Sequence, residues 1–533
     1  MAAIRTEAAP VPERPPERHD AQAFTRALVE GLRSPLSYPH AAGCVEVLET
    51  HISYVVLAGD FAYKVRKPVR LPFLDFTTLA ARQRDCEEEL RLNRRFAPAL
   101  YRGVVPITGS PDAPRVEGAG EAIEYAVRMG RFDPHLLLDA LARAGELRGA
   151  DIDRLASAIA RLHAQAPPAP ATAPFGTSAL VLRQALDNFS ALRAADDAAT
   201  GGLAQTLREW TLLEHARLEP VLEARRRAGF VRDGHGDLHL GNVVMQDGVP
   251  VPFDCIEFDP ALRVIDTMSD VAFTWMDLQH HGMPAWAARF LDRYVEATGD
   301  SGGLRVLRFF AVYRALVRAK VAALGAPAAE AWAKARACLE LAAGIAAPPP
   351  AMLVLMHGLS GSGKTRVSTH LVEALGAVRL RSDVERKRRR GLDALARSAS
   401  PVGGGLYAPH EVEGTYQRLM ELAAEVLDAG YAAIVDATFL KRAQREPFER
   451  LARERDVPCA IVACEAPEAE LRRRLAIRAA ALADASEADA QVLSLQLTAR
   501  EPLTAEEERV AVHVDTAREG AAREAADALL RRL

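Results

Sequence analysis

The chain is poor in cysteine and in aromatic residues, has no large excess of either charge, and contains no long apolar run. Six cysteines among 533 residues form no C-x-x-C pair. That argues against a zinc ribbon or a disulfide framework and for reduced thiols in a cytoplasm. Lys and Arg total 67 against 71 Asp and Glu, a formal net charge of −4. A general polyanion-binding surface is therefore not implied, although local basic patches stay open. The longest clean apolar run near any motif, Met352–Met356, falls far short of the roughly 18 residues a membrane helix needs. The opening residues are charged and proline-rich with no apolar core, which reads against a secretory signal.

What is present is the composition of a globular protein, 49 % hydrophobic and 26 % charged. At roughly 100–200 residues per domain, this length predicts two to four domains. Residues 1–20 predict a disordered tail, since Pro, Glu and Arg bury too little apolar surface to offset ordering. Ala346-Ala347-Pro348-Pro349-Pro350 predicts a semi-rigid linker. It separates an expected first domain, 21–345, from a second, 351–533.

The first domain begins with β-rich segments at Val45–Leu48, Tyr54–Leu57 and Phe61–Val65, the last two joined by the turn Ala58-Gly59-Asp60. Thr77–Phe96 predicts a long charged helix, and Ala122–Met129 a further strand. From Asp151 to Cys338 the pattern is helical, interrupted at 230–258. After the linker, apolar runs at Met352–Met356, Val378–Leu380, Ala432–Val435, Ala460–Ala463 and Val510–Val514 alternate with helical segments, the signature of a parallel α/β sheet.

Gly358-Leu359-Ser360-Gly361-Ser362-Gly363-Lys364-Thr365 fits G-x-x-x-x-G-K-[ST] between an expected strand and an expected helix. Glycines let backbone N–H groups turn around phosphate oxygens, and the following helix presents its positive end. Lys364 would reach the β- and γ-phosphates of ATP, and Thr365 would hold Mg²⁺. Asp436 ends a second buried strand, where an acid binds Mg²⁺ through water or acts on a substrate hydroxyl. Asp383 would accept the proton of an acceptor hydroxyl; for both acids, capping the next helix is the plain alternative. Arg474 and Arg478, spaced i, i+4, suit the charge of a phosphoryl-transfer transition state, or are ordinary surface arginines. The run Arg386–Arg390 reads as a solvated face that would also hold an anionic acceptor.

In the first domain, His235-Gly236-Asp237-Leu238-His239-Leu240-Gly241-Asn242 carries the D-x-x-x-x-N spacing of a phosphotransferase catalytic loop. Asp237 would orient the acceptor hydroxyl and take its proton, Asn242 would reach Mg²⁺, and Asp254 would be the second metal-binding acid. Upstream, Lys64 would hold the α/β-phosphates, oriented by Glu89, with Glu87 and Glu88 as competitors. Asp266 and Asp270 read as support for the loop, and His163 as a helix cap. The rival reading, a metal hydrolase with His235, His239 and Asp237 as its cluster, needs His-x-x-x-His on a helix, which three glycines oppose, and no ligand beyond these is obvious.

The second region, about 350–533, resembles small P-loop kinases of the shikimate, gluconate and polynucleotide-5′-kinase type, through GLSGSGKT and Val435–Thr438. The resemblance implies a five-stranded parallel sheet with an arginine lid. It leaves the acceptor open among sugars, small acids, nucleotides and nucleic acid ends. Residues 21–345 resemble the aminoglycoside phosphotransferase and choline kinase branch of the protein-kinase-like fold, through HGDLHLGN, AYKV and PFDCIEFD. That resemblance implies ATP, Mg²⁺ and a small-molecule hydroxyl acceptor. One departure is that Glu49-Thr50-His51-Ile52-Ser53, where a glycine-rich phosphate cover would lie, contains no glycine.

The whole chain resembles bacterial fusions of an aminoglycoside phosphotransferase-like domain with a P-loop ATP-binding domain. The expected fold class is thus an α+β protein-kinase-like bilobal domain followed by an α/β P-loop domain with a five-stranded parallel sheet. The expected activity is γ-phosphoryl transfer from Mg·ATP to hydroxyl acceptors at two sites, with no membrane partner. A nucleic acid is an open but unfavoured acceptor for the second domain. The rival readings are a first domain that senses ATP without turnover and a P-loop ATPase.

Overall fold

A computed structural model describes residues 18–71, 74–192, 198–325, 328–398, 404–481 and 485–532. Of the expected tail at 1–20, residues 1–17 lie outside the described residues, and Arg18–Asp20 open helix α1 (Arg18–Gly31). The chain divides into two compact units. One comprises residues up to Pro134 together with Pro252–Arg263, and the other comprises His135–Val251 and Val264 onward.

In the first unit, strands β1 (Glu46–Glu49), β2 (Ser53–Ala58) and β3 (Phe61–Arg66) are followed by helix α2 (Leu79–Asn93). Strands β4 (Tyr101–Ser110), β5 (Ala113–Val116) and β6 (Ala122–Gly130) come next. They form one antiparallel sheet in the order β1-β2-β3-β6-β4-β5. Gly59, at φ 57°, closes the β2–β3 hairpin in a left-handed turn that glycine adopts without a Cβ penalty. Leu28 of α1 and Leu32, just beyond its end, pack with Val56, Val65, Val105 and Ile107. Helix α2 is capped by the Thr78 hydroxyl, which accepts from the Ala81 N–H at 3.2 Å. Its buried face is polar: Arg82, Asp85, Glu89 and Asn93 all lie inside.

The second unit is built on helices α3 (Gly149–Gln165), α4 (Thr267–His280), α5 (Pro284–Thr298) and α6 (Leu304–Ala323). Its sheet consists of β7 (Leu353–His357), β8 (Val378–Arg381), β9 (Ala433–Asp436), β10 (Cys459–Glu465) and β11 (Ala511–Asp515). These five strands are all parallel, in the order β8-β9-β7-β10-β11. The parallel register pairs Met356 and Arg381 with Asp436, so three carboxyl ends of strands meet at one edge, where ligands of such sheets bind. Helix α7 (Lys364–Leu375) follows β7, and α8 (Ser382–Arg388), α9 (Pro409–Asp428) and α10 (Glu468–Ala481) complete the frame used below.

One apolar core runs through the unit, joining Phe290, Leu307 and Phe310 of the helices to Leu353, Leu355 and Val435 of the sheet. Pro348–Pro350 is an exposed connection between a helix ending at Ala346 and β7, and its two flanks share that core. Among the described residues no helix is long and apolar enough to cross a membrane. All six cysteines are free.

Candidate active sites

In the first unit, period-two alternation along β3 puts Lys64 and Arg66 on one face, and the i, i+4 spacing along α2 puts Asp85 and Glu89 on one face. These faces meet. Lys64 Nζ donates to Glu89 Oε1 at 2.9 Å and to Asp254 Oδ1 at 2.5 Å. Burial acts against the charged lysine, but Asp254 and Glu89 hold its ammonium well above the usual lysine range. Glu87 and Glu88 do not make this contact; Glu88 pairs with Arg91 and Arg263. Asp254 sits at φ 60°, a left-handed conformation that costs a non-glycine residue about 1 kcal/mol or more. Its N–H donates to the Tyr101 hydroxyl at 3.2 Å, and the next N–H, of Cys255, donates to Asn93 Oδ1 at 2.9 Å. Arg66, fully buried, pairs with Asp85, Glu89 and Glu257.

The glycine-free turn between β1 and β2 is closed by the Thr50 N–H, which donates to the Ser53 carbonyl at 2.9 Å, and is reinforced by side chains. The Thr50 hydroxyl meets the Ser53 backbone at 3.0 Å, and Lys67 Nζ donates to Glu49 at 2.6 Å and to the Thr50 carbonyl at 2.5 Å.

In the second unit, His235–Asn242 is a loop ending in a short 3₁₀ turn, not a helix. Gly236, at φ 83°, allows its bend. Helix α4 holds it from below. Asp270 accepts the His235 and Gly236 N–H groups at 2.8 Å each, Thr274 Oγ1 donates to the Leu238 carbonyl at 2.7 Å, and Asp277 accepts the Leu240 N–H at 2.9 Å. Asn242 Nδ2 donates to both the carbonyl and the carboxylate of Asp237, at 2.9 and 3.0 Å. Burial pushes the Asp237 carboxyl up, but His239, His235 and Arg314 outweigh it and hold the group well below the usual carboxylate range.

The two imidazoles shape this loop. His235 Nδ1 accepts the Asp237 N–H at 3.3 Å, and His239 Nδ1 accepts the Gly241 N–H at 3.1 Å. His163, expected as a helix cap, is instead buried, with Nδ1 at 2.8 Å from the Tyr294 hydroxyl and Nε2 at 3.4 Å from Asp270. Asp266 does not touch the loop; it caps α4 and pairs with Arg225.

At the sheet edge of the same unit, Gly358, Gly361 and Gly363 all have left-handed φ, at 139°, 84° and 86°. Lys364 Nζ folds over the loop and donates to the Gly358 and Leu359 carbonyls at 2.9 Å each. Burial lowers its pKa from the ordinary lysine value. Asp436 Oδ2 accepts from Ser368 Oγ at 3.1 Å. Asp383 pairs with Arg386 at 2.6 Å; burial pushes its carboxyl up, but Arg386 and Arg381 hold it below its ordinary value.

A cavity of about 350 Å³ opens here, lined by Lys364, Thr365, Asp383, Asp436, Arg474 and Arg478 among others. A second, of about 650 Å³, lies beside Gly363 and Arg474, walled by α10 and by Thr516–Arg518. Arg474 is locked between them, donating to Glu470 at 2.7 Å and to the Thr516 hydroxyl and carbonyl at 2.9 and 3.0 Å. Arg478 donates to the Ala488 carbonyl at 2.7 Å.

The basic run at 386–390 is partly solvated, as expected, with Arg389 and Arg390 exposed and Lys387 buried, and each of its residues is ion-paired. Arg386 pairs with Asp383, Lys387 with Glu487, Arg388 with Glu385, and Arg389 and Arg390 with Glu411. Sequence reasoning missed Arg66, Asp277, Ser368 and Arg379. Only Arg379 left a signal, a charged residue in the middle of an apolar strand. The residue is 2 % exposed.

Residues 69–310 match the family model described as a phosphotransferase enzyme family, and residues 353–503 match one described as an AAA domain. Uncharacterized proteins of Mycobacterium tuberculosis and Mycobacterium bovis are 30 % identical over 447 residues, covering 83 % of this chain and 88 % of theirs. A choline kinase from Cryptosporidium parvum is 11 % identical, covering 60 % of this chain and 93 % of its own, with a TM-score of 0.36. A gluconokinase from Sinorhizobium meliloti is 24 % identical, covering 34 % and 93 %, with a TM-score of 0.26. The chain belongs to the same family as the mycobacterial proteins and is a phosphotransferase that fuses an aminoglycoside phosphotransferase-like domain to a P-loop kinase domain.

Proposed function

We propose that this chain has two nucleotide sites, each transferring the γ-phosphoryl group of Mg·ATP to a hydroxyl acceptor, in functional domains 21–345 and 351–533. The observation that carries the reading is the meeting of Lys64, Glu89 and Asp254, three residues far apart in sequence. In the first domain Lys64 holds α/β-phosphate oxygens, Glu89 orients Lys64, and Asp254 and Asn242 offer oxygen donors to Mg²⁺. Asp237, ionised at neutral pH, takes the acceptor proton.

In the second domain the three left-handed glycines turn loop N–H groups toward phosphate oxygens. Lys364 exchanges its two carbonyl partners for phosphate. The Thr365 hydroxyl and the Asp436 carboxylate are hard oxygen donors, the kind Mg²⁺ selects. Bound Mg²⁺ supplies charge neutralisation at the β- and γ-oxygens. Asp383 takes the proton of a small-molecule hydroxyl, with a sugar, small acid, nucleotide or nucleic acid end as the acceptor class. Arg474 and Arg478 face the transferring group across the cavity. The free cysteines and the ATP requirement support a cytoplasmic location.

The test is titration calorimetry with a non-hydrolysable Mg·ATP analogue. The unmodified chain should take up two equivalents, and Lys64→Ala and Lys364→Ala one each. Uptake of none by folded protein overturns the reading. The side-chain-stapled turn at Thr50–Ser53 favours a second reading for the first domain, nucleotide binding without turnover. Acceptor-dependent transfer that is lost in Asp237→Asn eliminates it.

A further inference from the structure

Helix α5 belongs to the helical part of the first domain, yet it packs on the P-loop domain. Ala288 sits in one core with Val367 and Leu371 of α7, and Arg289 donates to Glu373 at 2.8 Å. Within this contact lies an ion pair of two residues each 2 % exposed, Asp292 and Arg379. Asp292 Oδ1 accepts the Arg379 backbone N–H at 2.7 Å, and Oδ2 accepts from Nη2 at 3.1 Å. Held at both ends, the guanidinium has one orientation. Its other arm, Nη1, donates to the Thr365 carbonyl at 3.3 Å, to Ser368 Oγ at 3.2 Å and to Thr369 Oγ1 at 2.9 Å.

Ser368 has a single proton and two acceptors in reach, the Thr365 carbonyl at 3.2 Å and Asp436 Oδ2 at 3.1 Å. Arg379 covers the first acceptor and donates to the Ser368 oxygen, which leaves the proton for Asp436. A carboxylate from one domain thereby sets the relative placement of two groups in the other, through one arginine and one serine.

We propose that Asp292 is a positioning residue of the P-loop site, acting through Arg379 and Ser368 on Thr365 and Asp436, the two groups assigned to the divalent cation. This inference rests on the nucleotide reading of that site. It differs from a purely structural salt bridge in what it predicts. Loss of the pair disturbs the cation-facing geometry, whereas Gly358–Gly363, which follow β7 and grip phosphate, lie outside the relay. Outer partners of metal-facing groups are typically worth about 10- to 100-fold.

The test is ADP affinity of the full chain, with and without Mg²⁺, by titration calorimetry in a Lys64→Ala background that silences the first site. In Asp292→Asn the gain in affinity that Mg²⁺ confers should fall about 10-fold or more, while metal-free ADP affinity stays within about twofold. Ser368→Ala, which breaks the relay without touching the buried ion pair, should give the same split and decides the matter if the Asp292→Asn variant does not fold. An undiminished Mg²⁺-dependent gain in folded Asp292→Asn, or in Ser368→Ala, overturns the inference alone. ADP uptake that is missing at the outset, or that survives Lys364→Ala, overturns the P-loop reading and the inference together.

Discussion

Lys64 donates to Asp254 at 2.5 Å across 190 positions of sequence. Glu89, on α2, accepts from the same ammonium and also from Arg66 at 2.6 Å, and it is wholly buried. The two acids therefore have unequal structural weight.

Lys64→Met should weaken Mg·ATP at the first site by at least tenfold while lowering stability by about 2 kcal/mol, the scale of one charge-assisted hydrogen bond. Glu89→Ala should cost more, about 3–5 kcal/mol, because it leaves two buried cations short of an acceptor. Urea unfolding of both variants checks the order. Equal losses contradict the shared role of Glu89.

Asn242 Nδ2 donates to the Asp237 carboxylate at 3.0 Å. Asp237→Asn should slow acceptor-dependent transfer at the first site by about 10²–10⁴, the usual contribution of a general base. The analogue's affinity there should change by less than about twofold. Single-turnover transfer and calorimetry on the same preparation separate the two effects.

Gly358 faces the carbonyl of Cys464, which a Cβ would meet at 2.4 Å, and its φ of 139° lies outside the range of L side chains. Gly358→Ala should therefore lower stability by about 1–3 kcal/mol. It should also remove nucleotide binding at the P-loop site while leaving the first site's equivalent intact. Binding stoichiometry falling from two to one is the expected result.

Asp270 anchors the His235–Asn242 loop. Burial raises its carboxyl pKa, but the His163 hydrogen bond and the charges of His163 and His235 outweigh burial and hold it below its ordinary value of 3.8. Between the folded and unfolded pKa the unfolded chain binds more protons, so stability rises with pH there. The contribution is present in full above the ordinary carboxylate range and is lost as pH falls through the folded pKa. Acid unfolding followed by circular dichroism should show this dependence below about pH 4, and Asp270→Asn should reduce it. An unchanged acid transition in that variant rejects the anchor.

The candidate motifs were legible without coordinates because they are local. The eight positions of the P-loop and of the catalytic loop each form one turn, so spacing alone specifies which groups can converge. The five strands after the prolines were legible for a related reason: parallel strands covered on both faces are short continuous apolar runs. Helix α2 was legible as a helix but not as a buried one. Its charged positions read as surface, whereas Arg82, Asp85 and Glu89 face inward onto partners that only folding supplies. Helix α1 at Arg18–Gly31 and strand β4 at Tyr101–Ser110 were not anticipated, although Phe24, Ala27 and Leu28 fall on one face of α1.

The amino-acid order by itself determined the two candidate phosphate-binding motifs, the acids proposed to act with them and their succession along the chain, since these depend on neighbours a few residues apart. Tertiary structure alone decided that α4 carries the His235–Asn242 loop and that Asp292 reaches the P-loop through Arg379, and it put Glu89, the expected partner, rather than Glu87 or Glu88 on Lys64. Those choices turn on which helix faces are buried against one another, and burial is a property of packed elements that no single segment encodes.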